Sequence, residues 1–184
     1  MKTIICIVGK TGTGKDTIAK YIKEKHGIGM VCSYTTRPQR ACEENGREHY
    51  FISKVKMAAI CAKEHVIAYT INDKTGIEYC ATAESITDKN IVYIINPNGI
   101  TYLKEHLPED FKLAILYCNL SEDKIEERVV GRGDDLEIFK LRLASERDEF
   151  DTFYNNKEYD VAIDTSKSLE DVYKQVDAFL AEQL

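Results

Sequence analysis

The sequence lacks any apolar run long enough to cross a membrane, since a spanning helix needs about 20 consecutive apolar residues and the runs here are much shorter. An apolar run begins almost at once, at Ile4, which leads us to expect no secretory leader. The cysteines form no C-x-x-C pair, and no cysteine–histidine cluster has the spacing of zinc ligands. We therefore expect a reduced, cytoplasmic protein without membrane partners.

An excess of positive charge is also missing. The 25 lysines and arginines are outnumbered by 31 aspartates and glutamates, which gives a net charge of −6. A protein that binds nucleic acid through its overall charge carries the opposite sign, so we expect no nucleic-acid partner. Internal repeats are absent as well, and 184 residues suit one domain with a sizeable core.

A glycine-rich segment near the start is the most informative feature. It follows an apolar run and leads into a helical pattern, which is the strand–turn–helix context of a phosphate-binding P-loop. Glycines let successive backbone N–H groups turn towards phosphate oxygens, and the following helix and a lysine add positive charge. We predict that the segment binds ATP through Gly9, Lys10, Thr11, Gly12, Thr13, Gly14, Lys15, Asp16 and Thr17. The alternative is a tight turn whose glycines serve shape alone.

Asp16 departs from the P-loop pattern, in which Ser or Thr follows the lysine and binds Mg²⁺ through its hydroxyl. A carboxylate is also a good ligand for a hard cation. We predict Mg²⁺ as the cofactor, with Asp16 as its protein ligand directly or through water. Because a carboxylate without metal repels a triphosphate, we also expect a sharper need for Mg²⁺ than a serine would give.

Apolar runs alternate with helical patterns along most of the chain, which predicts an α/β fold of the three-layer P-loop nucleoside-triphosphatase type. The runs of its parallel central sheet lie at 3–8, 29–32, 91–95, 113–118 and 160–163. Helices are predicted at 15–26, from Ser121 to a stop at Gly131, at about 136–154, and along an apolar stripe from Leu169 to Leu180.

Residues 33–82 do not follow this alternation. They contain a polar loop at 33–49, a short helix and two short strands, and such an insert suits a second-substrate site. We predict one domain at 1–184, with a core at 1–32 and 83–184, this small mixed insert at 33–82, and a lid near 131–136.

Arginines fall into two groups. Arg37 and Arg40 lie three residues apart beside hydroxyl groups, and two guanidiniums in that arrangement can grip one phosphate. The second group is Arg128, Arg132, Arg142 and Arg147, and the glycines beside Arg132 suit a lid that closes over a transferring phosphate. The alternatives are a solvated loop for the first group and surface pairs with Glu126, Glu127 and Glu146 for the second, which fit Arg147 best.

In combination, these segments resemble the guanylate kinase family over nearly the whole chain. The P-loop, the S-x-T-T-R-x-x-R run at 33–40, the E-x-N-G segment at 44–51, the G-I-E-Y segment at 76–79 and the lid arginines follow in family order.

The resemblance implies a role for each matching residue. Ser33 contacts the guanine base, Arg37, Arg40 and Tyr79 bind the monophosphate, and Arg128 joins the ATP site. A family tyrosine aligns with His49, and Tyr50 lies beside it, so both are candidates for the monophosphate. The implied catalytic groups are Lys15, Arg37, Arg132 and Arg142.

The departures from the family pattern gather in the base pocket. The base-reading glutamate of the family aligns with Ala68, a Gly-Ser/Thr pair becomes Cys80-Ala81, and two aspartates become Ile94 and Asn96. A carboxylate suits guanine because it accepts from the ring N1–H and the exocyclic 2-amino group together, so its loss weakens the inference of base specificity. Asn72 and Asp73 lie close enough in sequence to substitute.

The function implied is ATP-dependent phosphorylation of a nucleoside monophosphate, GMP or dGMP first. Three alternatives stay open: a kinase for another nucleoside or deoxynucleoside monophosphate, a guanylate-kinase-like module that binds protein partners, and a P-loop kinase for a non-nucleotide metabolite. The intact lysine and lid arginines speak against the binding module, and the paired arginines speak against the metabolite kinase.

Overall fold

The computed structural model describes residues 2–40, 43–72, 75–132 and 135–184, with the side chain of Arg132 excepted. Within these ranges the strands are β1 (Lys2–Val8), β2 (Gly29–Met30), β3 (Ser33–Thr35), β4 (His49–Phe51), β5 (Val66–Ile71), β6 (Glu78–Thr82), β7 (Asn90–Ile94), β8 (Phe111–Asn119) and β9 (Val161–Asp164). The helices are α1 (Lys15–His26), α2 (Lys54–Lys63), α3 (Pro97–His106), α4 (Glu122–Arg132), α5 (Leu136–Asn155) and α6 (Leu169–Gln183), with a short 3-10 helix at Ala83–Ser85.

Five strands form a parallel sheet in the order β2-β7-β1-β8-β9. Its central strand β1 is buried on both faces, with Ile4, Ile5 and Ile7 fully enclosed, as the strands of a parallel sheet require. The carboxyl ends of these strands share one edge, where open α/β sheets bind their ligands. The predicted α/β fold with a parallel central sheet is confirmed.

Helices cover both faces of this sheet. Successive residues of β1 point to opposite sides, so Ile4 joins an apolar cluster with α3 and α5, through Ile100 and Phe150. Ile5 joins the opposite cluster with α1 and α6. A third cluster packs α4 against α5. Because α5 contributes to two clusters, it is anchored along its length beside the carboxyl edge of the sheet.

The insert has a sheet of its own, in the order β4-β3-β6-β5. The sheet is mixed, since β3 runs parallel to β4 but antiparallel to β6. Helix α2 covers one face through Met57 and Ile60, which pack on Cys80. The domain boundaries proposed from the sequence stay a prediction.

Three local expectations were wrong. The segment 33–49 is not all loop, because it begins with β3 and ends at the first residue of β4. Helix α4 continues through Gly131 to Arg132, since glycine inside a helix costs only about 1 kcal/mol. Leu169 is 59% exposed and does not join the buried stripe of α6.

Among the described helices, none combines the length and the apolar character that crossing a membrane demands.

Candidate active site

The glycine-rich segment lies between the end of β1 and the start of α1. Gly14, directly before α1, has a φ of 95° in the left-handed region, which favours glycine. Glycine is required at position 9 because the segment passes close to β8 there. A Cβ at this position would lie 2.9 Å from the backbone oxygen of Cys118. The tight turn brings the positive end of the α1 dipole to the carboxyl edge of the sheet, which is a suitable place for an anion.

The two lysines of the segment have different surroundings. Lys15 Nζ donates to the backbone oxygens of Gly9 and Lys10 at 2.6 Å and 2.8 Å, so this ammonium lies against the loop itself. Lys10 Nζ pairs instead with Glu122 of α4 at 3.0 Å and Asp151 of α5 at 2.7 Å. The side chain of Lys10 therefore fastens the loop to two helices.

Helix α5 also contacts the loop through a carboxylate. Glu146 Oε2 accepts a hydrogen bond of 2.6 Å from the backbone N–H of Thr11. Burial raises the pKa of Glu146. Arg147 is ion-paired as expected, but its partner is Glu122 at 2.7 Å, so the expected pairing with Glu126, Glu127 or Glu146 was wrong.

Asp16 and Thr17 are exposed in the first turn of α1. Among the described residues, no group of three or more metal-ligating side chains could hold an ion by itself. Mg²⁺ commonly takes one or two carboxylates and completes its shell with phosphate and water. A single carboxylate beside a phosphate loop fits that donor set, so Asp16 would hold the ion together with nucleotide phosphates.

A cavity of about 300 Å³ opens beside the glycine-rich segment. Its walls come from the segment and α1 on one side and from Arg128, Thr165 and Leu169 on the other. An Arg128 nitrogen donates to the backbone oxygen of Thr165, which holds the guanidinium at the wall. The exposure of Leu169 thus has a structural reason, because this residue lines the cavity.

The insert sheet gathers the residues expected to bind the monophosphate. Ser33 Oγ lies 3.0 Å from His49 Nδ1 on the neighbouring strand. The ring of His49 packs edge-on against Tyr79, with centroids 5.7 Å apart. Burial, and then the charge of Arg37, lowers the pKa of His49. Near neutral pH this histidine is therefore uncharged.

Tyr50 points the other way from His49. Alternate residues of a strand face opposite sides, and the Tyr50 ring packs against Tyr34 at 5.2 Å between centroids. Tyr50 is 40% exposed. Of the two candidates, His49 is the one that shares a face with Ser33 and Tyr79.

Arg37 and Arg40 meet at one carboxylate. Arg37 donates to both oxygens of Glu43, and its guanidinium lies over the ring of Phe51, 5.1 Å from the centroid. Arg40 donates to Glu43 through its backbone N–H at 2.9 Å, and its side chain lies 3.7 Å away. The pKa of Glu43 falls to about 2, chiefly because of the hydrogen bonds from Arg37.

Arginines from α5 and the insert come near each other. Burial, followed by the charges of Arg142 and Arg37, lowers the pKa of Arg40. Arg142 is exposed on α5. The charges of these three arginines therefore act on one another, and a group with several negative charges is stabilised beside them. The side chain of Arg132 and residues 133 and 134 of the predicted lid lie outside the described residues.

Two of the positions that depart from the family pattern are buried among apolar residues. Ala68 is 2% exposed and Ala81 is fully buried, within the cluster that includes α3. Asn96 caps α3 by accepting from the backbone N–H of Gly99 at 2.9 Å. Asp73, one of the two suggested substitutes for the missing carboxylate, lies outside the described residues.

Comparison with known proteins assigns the chain to a family. The family profile described as guanylate kinase matches residues 1–183. The chain belongs to the guanylate kinase family. Membership makes it a nucleoside monophosphate kinase, so the predicted family and enzyme class are confirmed.

Curated relatives and a solved structure agree with the family assignment. The guanylate kinase of Neisseria meningitidis serogroup A is 30% identical over 155 residues, which cover 80% of this chain and 74% of the relative. That of Prochlorococcus marinus NATL2A is 27% identical and covers 97% and 95%. The crystal structure of guanylate kinase from Anaplasma phagocytophilum has a TM-score of 0.71 at 19% identity, over 100% of this chain and 87% of that one.

Three features of the site were not found from the sequence. Glu43 lies in an irregular loop, Glu146 contacts a loop 135 positions away, and the cavity wall at Thr165 and Leu169 joins two distant elements. Only Glu43 had a local signal, because it follows the arginine pair by three residues and has the opposite charge.

Proposed function

We propose that this protein transfers the terminal phosphate of ATP to GMP, yielding ADP and GDP. The observation that carries the proposal is a set of cations: Lys15 lies against the P-loop, and the charges of Arg142 in α5 and Arg37 in the insert act on Arg40. Transfer between two nucleotides brings many negative charges together, and this arrangement offsets them. The choice of guanine as the acceptor base rests on the names of the relatives, which are guanylate kinases.

The P-loop and the insert have separate tasks in this proposal. The backbone amides of the P-loop and Lys15 hold the phosphates of ATP, and the cavity beside Arg128 receives the rest of the donor. Arg37, Arg40 and Tyr79 hold the phosphate of GMP, with His49 rather than Tyr50 beside them, because His49 shares a face of the insert sheet with Tyr79. Ser33 contacts the base.

Transfer needs no protein nucleophile. An oxygen of the acceptor phosphate attacks the terminal phosphorus of ATP in line, and the bond from that phosphorus to the bridging oxygen of ADP breaks. Lys15, Arg142 and Arg132 stabilise the charge that spreads over the transferred group. When bound at Asp16, Mg²⁺ supplies further positive charge to the triphosphate. A cytoplasmic location, where both nucleotides are available, belongs to the same proposal.

A direct assay tests the proposal. ADP and GDP should form in equal amounts from ATP, GMP and Mg²⁺, and Lys15→Ala should reduce the rate at least about 100-fold. A well-folded preparation that binds no ATP and phosphorylates no nucleotide would favour the protein-binding module instead.

A kinase for another nucleoside or deoxynucleoside monophosphate is the second candidate. Its support is Ala68, which is apolar and buried at the position that aligns with the base-reading glutamate of the family. A pocket that lacks this acceptor discriminates less between bases, since buried hydrogen bonding supplies much of an enzyme's selectivity.

A further inference from the structure

One carboxylate lies directly on the P-loop. Glu146 Oε2 accepts from the backbone N–H of Thr11 at 2.6 Å, which is the short distance of a charge-assisted hydrogen bond. Backbone amides of this segment are the groups that a P-loop offers to phosphate oxygens. A carboxylate oxygen and a phosphate oxygen therefore accept from the same kind of donor, and a single N–H can serve only one of them well.

The surroundings of Glu146 favour a negatively charged group, whether it is a carboxylate or a phosphate. The side chain is half-buried, and it faces positive charges from Lys10 and Lys15 of the loop and from Arg142 of its own helix. Burial raises the pKa of Glu146, although these cations and the hydrogen bond from Thr11 act to lower it. The negative charge of Glu149 also faces it from the next turn of α5. Its contact with Thr11 is thus the principal compensation for a poorly hydrated carboxylate.

Position along the helix links this carboxylate to the transfer site. Glu146 follows Arg142 by four residues, so the two side chains share one face of α5. The same face therefore presents a cation to the region of the insert arginines and an anion to the P-loop. When the Thr11 N–H donates to a phosphate instead, the Glu146 carboxylate is left beside the positive charges of Lys10, Lys15 and Arg142.

We propose that Glu146 is an affinity-determining residue of the donor site, whose carboxylate competes with a phosphate of ATP for the backbone N–H of Thr11. This inference rests on the proposed binding of ATP at the P-loop. Binding of ATP requires the Glu146 carboxylate to leave the amide, so part of the free energy of ATP binding is used to displace it. The resident carboxylate weakens ATP binding without contacting the acceptor nucleotide.

The chain offers a matched control one turn further along α5. Glu149 is also half-buried, burial raises its pKa too, and its Oε1 accepts from a backbone N–H, that of Asn98, at 3.0 Å. Its amide partner belongs to α3 and not to the P-loop. Glu149→Gln removes one negative charge from the same helix, with the same change of side chain, and leaves the Thr11 contact intact.

The test measures the dissociation constant of MgATP by calorimetry for the wild-type protein, Glu146→Gln and Glu149→Gln. We expect Glu146→Gln to bind ATP about five- to tenfold more tightly, because a neutral amide oxygen competes less well for the N–H, and Glu149→Gln to bind as the wild type does. Unchanged or weaker binding by Glu146→Gln would overturn the inference, as would equal tightening in both variants. Failure of the wild type to bind ATP would instead count against the proposed function.

A second measurement separates competition from a purely structural role. The Thr11 amide proton should resonate downfield in the wild-type protein, move upfield in Glu146→Gln, and change its resonance again when MgATP is added to either. If the Thr11 resonance is the same in both proteins, the carboxylate does not hold this amide and the inference fails.

Discussion

Arg37 and Glu43 form a two-pronged ion pair, with hydrogen bonds of 2.7 Å and 2.5 Å between guanidinium and carboxylate. Their side chains are only 9% and 10% exposed. The same carboxylate accepts from the backbone N–H of Arg40. Glu43 thus fixes the guanidinium of Arg37 and the backbone of Arg40, the two arginines that we propose bind the acceptor phosphate.

This ion pair predicts a loss of stability in acid. The pKa of Glu43 is about 2 in the folded protein and 4.5 as the reference value. Its stabilisation is therefore fully present above pH 4.5 and is lost as the pH falls towards 2. At pH 7 we expect Glu43→Gln to lower the free energy of unfolding by about 2–3 kcal/mol, and the difference from the wild type should shrink below pH 4.5 in urea titrations.

Glu44 provides the comparison for Glu43. Its pair with Arg47 is largely exposed, and exposed pairs contribute about 0–1 kcal/mol. Glu44→Gln should therefore change the free energy of unfolding by less than about 1 kcal/mol. If both variants lose the same stability, burial of the Arg37–Glu43 pair is not what stabilises the insert.

Replacement of Asp16 tests its role towards Mg²⁺. We expect the rate of the wild-type enzyme to fall more steeply than that of Asp16→Ser when Mg²⁺ becomes limiting, because the carboxylate repels a triphosphate that carries no metal. The measurement is the initial rate against free Mg²⁺ at fixed ATP. Asp110→Ser, which removes an exposed carboxylate paired with Lys2, should keep the wild-type profile. Identical profiles for Asp16→Ser and the wild type would exclude Asp16 as a ligand.

Arg142 should act mainly on the rate of transfer. The charge of Arg142 in α5 acts on Arg40 of the insert, so we expect Arg142→Ala to lower kcat about 100-fold while the KM values change little. Lys140→Ala is the control on the same helix, because Lys140 is paired with Glu126 at 3.7 Å, and its kcat should stay within about threefold. A change in KM alone would assign Arg142 to binding and not to transfer.

His49 and Tyr50 should differ in their effect on the acceptor. His49 lies 3.0 Å from Ser33 and packs on Tyr79, so His49→Ala should raise the KM for the acceptor about tenfold and leave the KM for ATP unchanged. Tyr50→Phe should alter neither KM value, since Tyr50 lies on the opposite face of the insert sheet, against Tyr34. A larger acceptor effect from Tyr50→Phe than from His49→Ala would reverse this assignment.

The sequence was informative where the chemistry is local. The P-loop and the arginine run have their functional groups within a few neighbouring residues, and β1 and α1 follow from plain apolar patterns. The contacts of Thr11 with Glu146 and of Lys10 with Glu122 depend on how α4 and α5 pack over the loop. No spacing in the sequence encodes that packing, so the pairing of Lys10 with Glu122 and the contact of Glu146 with Thr11 could not be predicted.

The predictions for β3 and for the end of α4 were wrong for local physical reasons. Ser33 and Thr35 are polar in composition, yet both are buried, because their hydroxyls are satisfied by His49 and by the backbone oxygen of Glu78. Gly131 was expected to end α4, but the preference of glycine for helix ends is weaker than the packing of Ile125 and Val129 against α5.

The central claim is most directly tested by comparing kcat/KM for GMP with the values for dGMP, AMP, UMP, CMP and their deoxy forms, with ATP and Mg²⁺ held constant. We predict the highest value for GMP or dGMP, with a smaller margin over the other bases than a carboxylate in place of Ala68 would give. A higher value for a nucleotide without guanine, or no transfer to any of them by folded protein that binds ATP, would contradict the account.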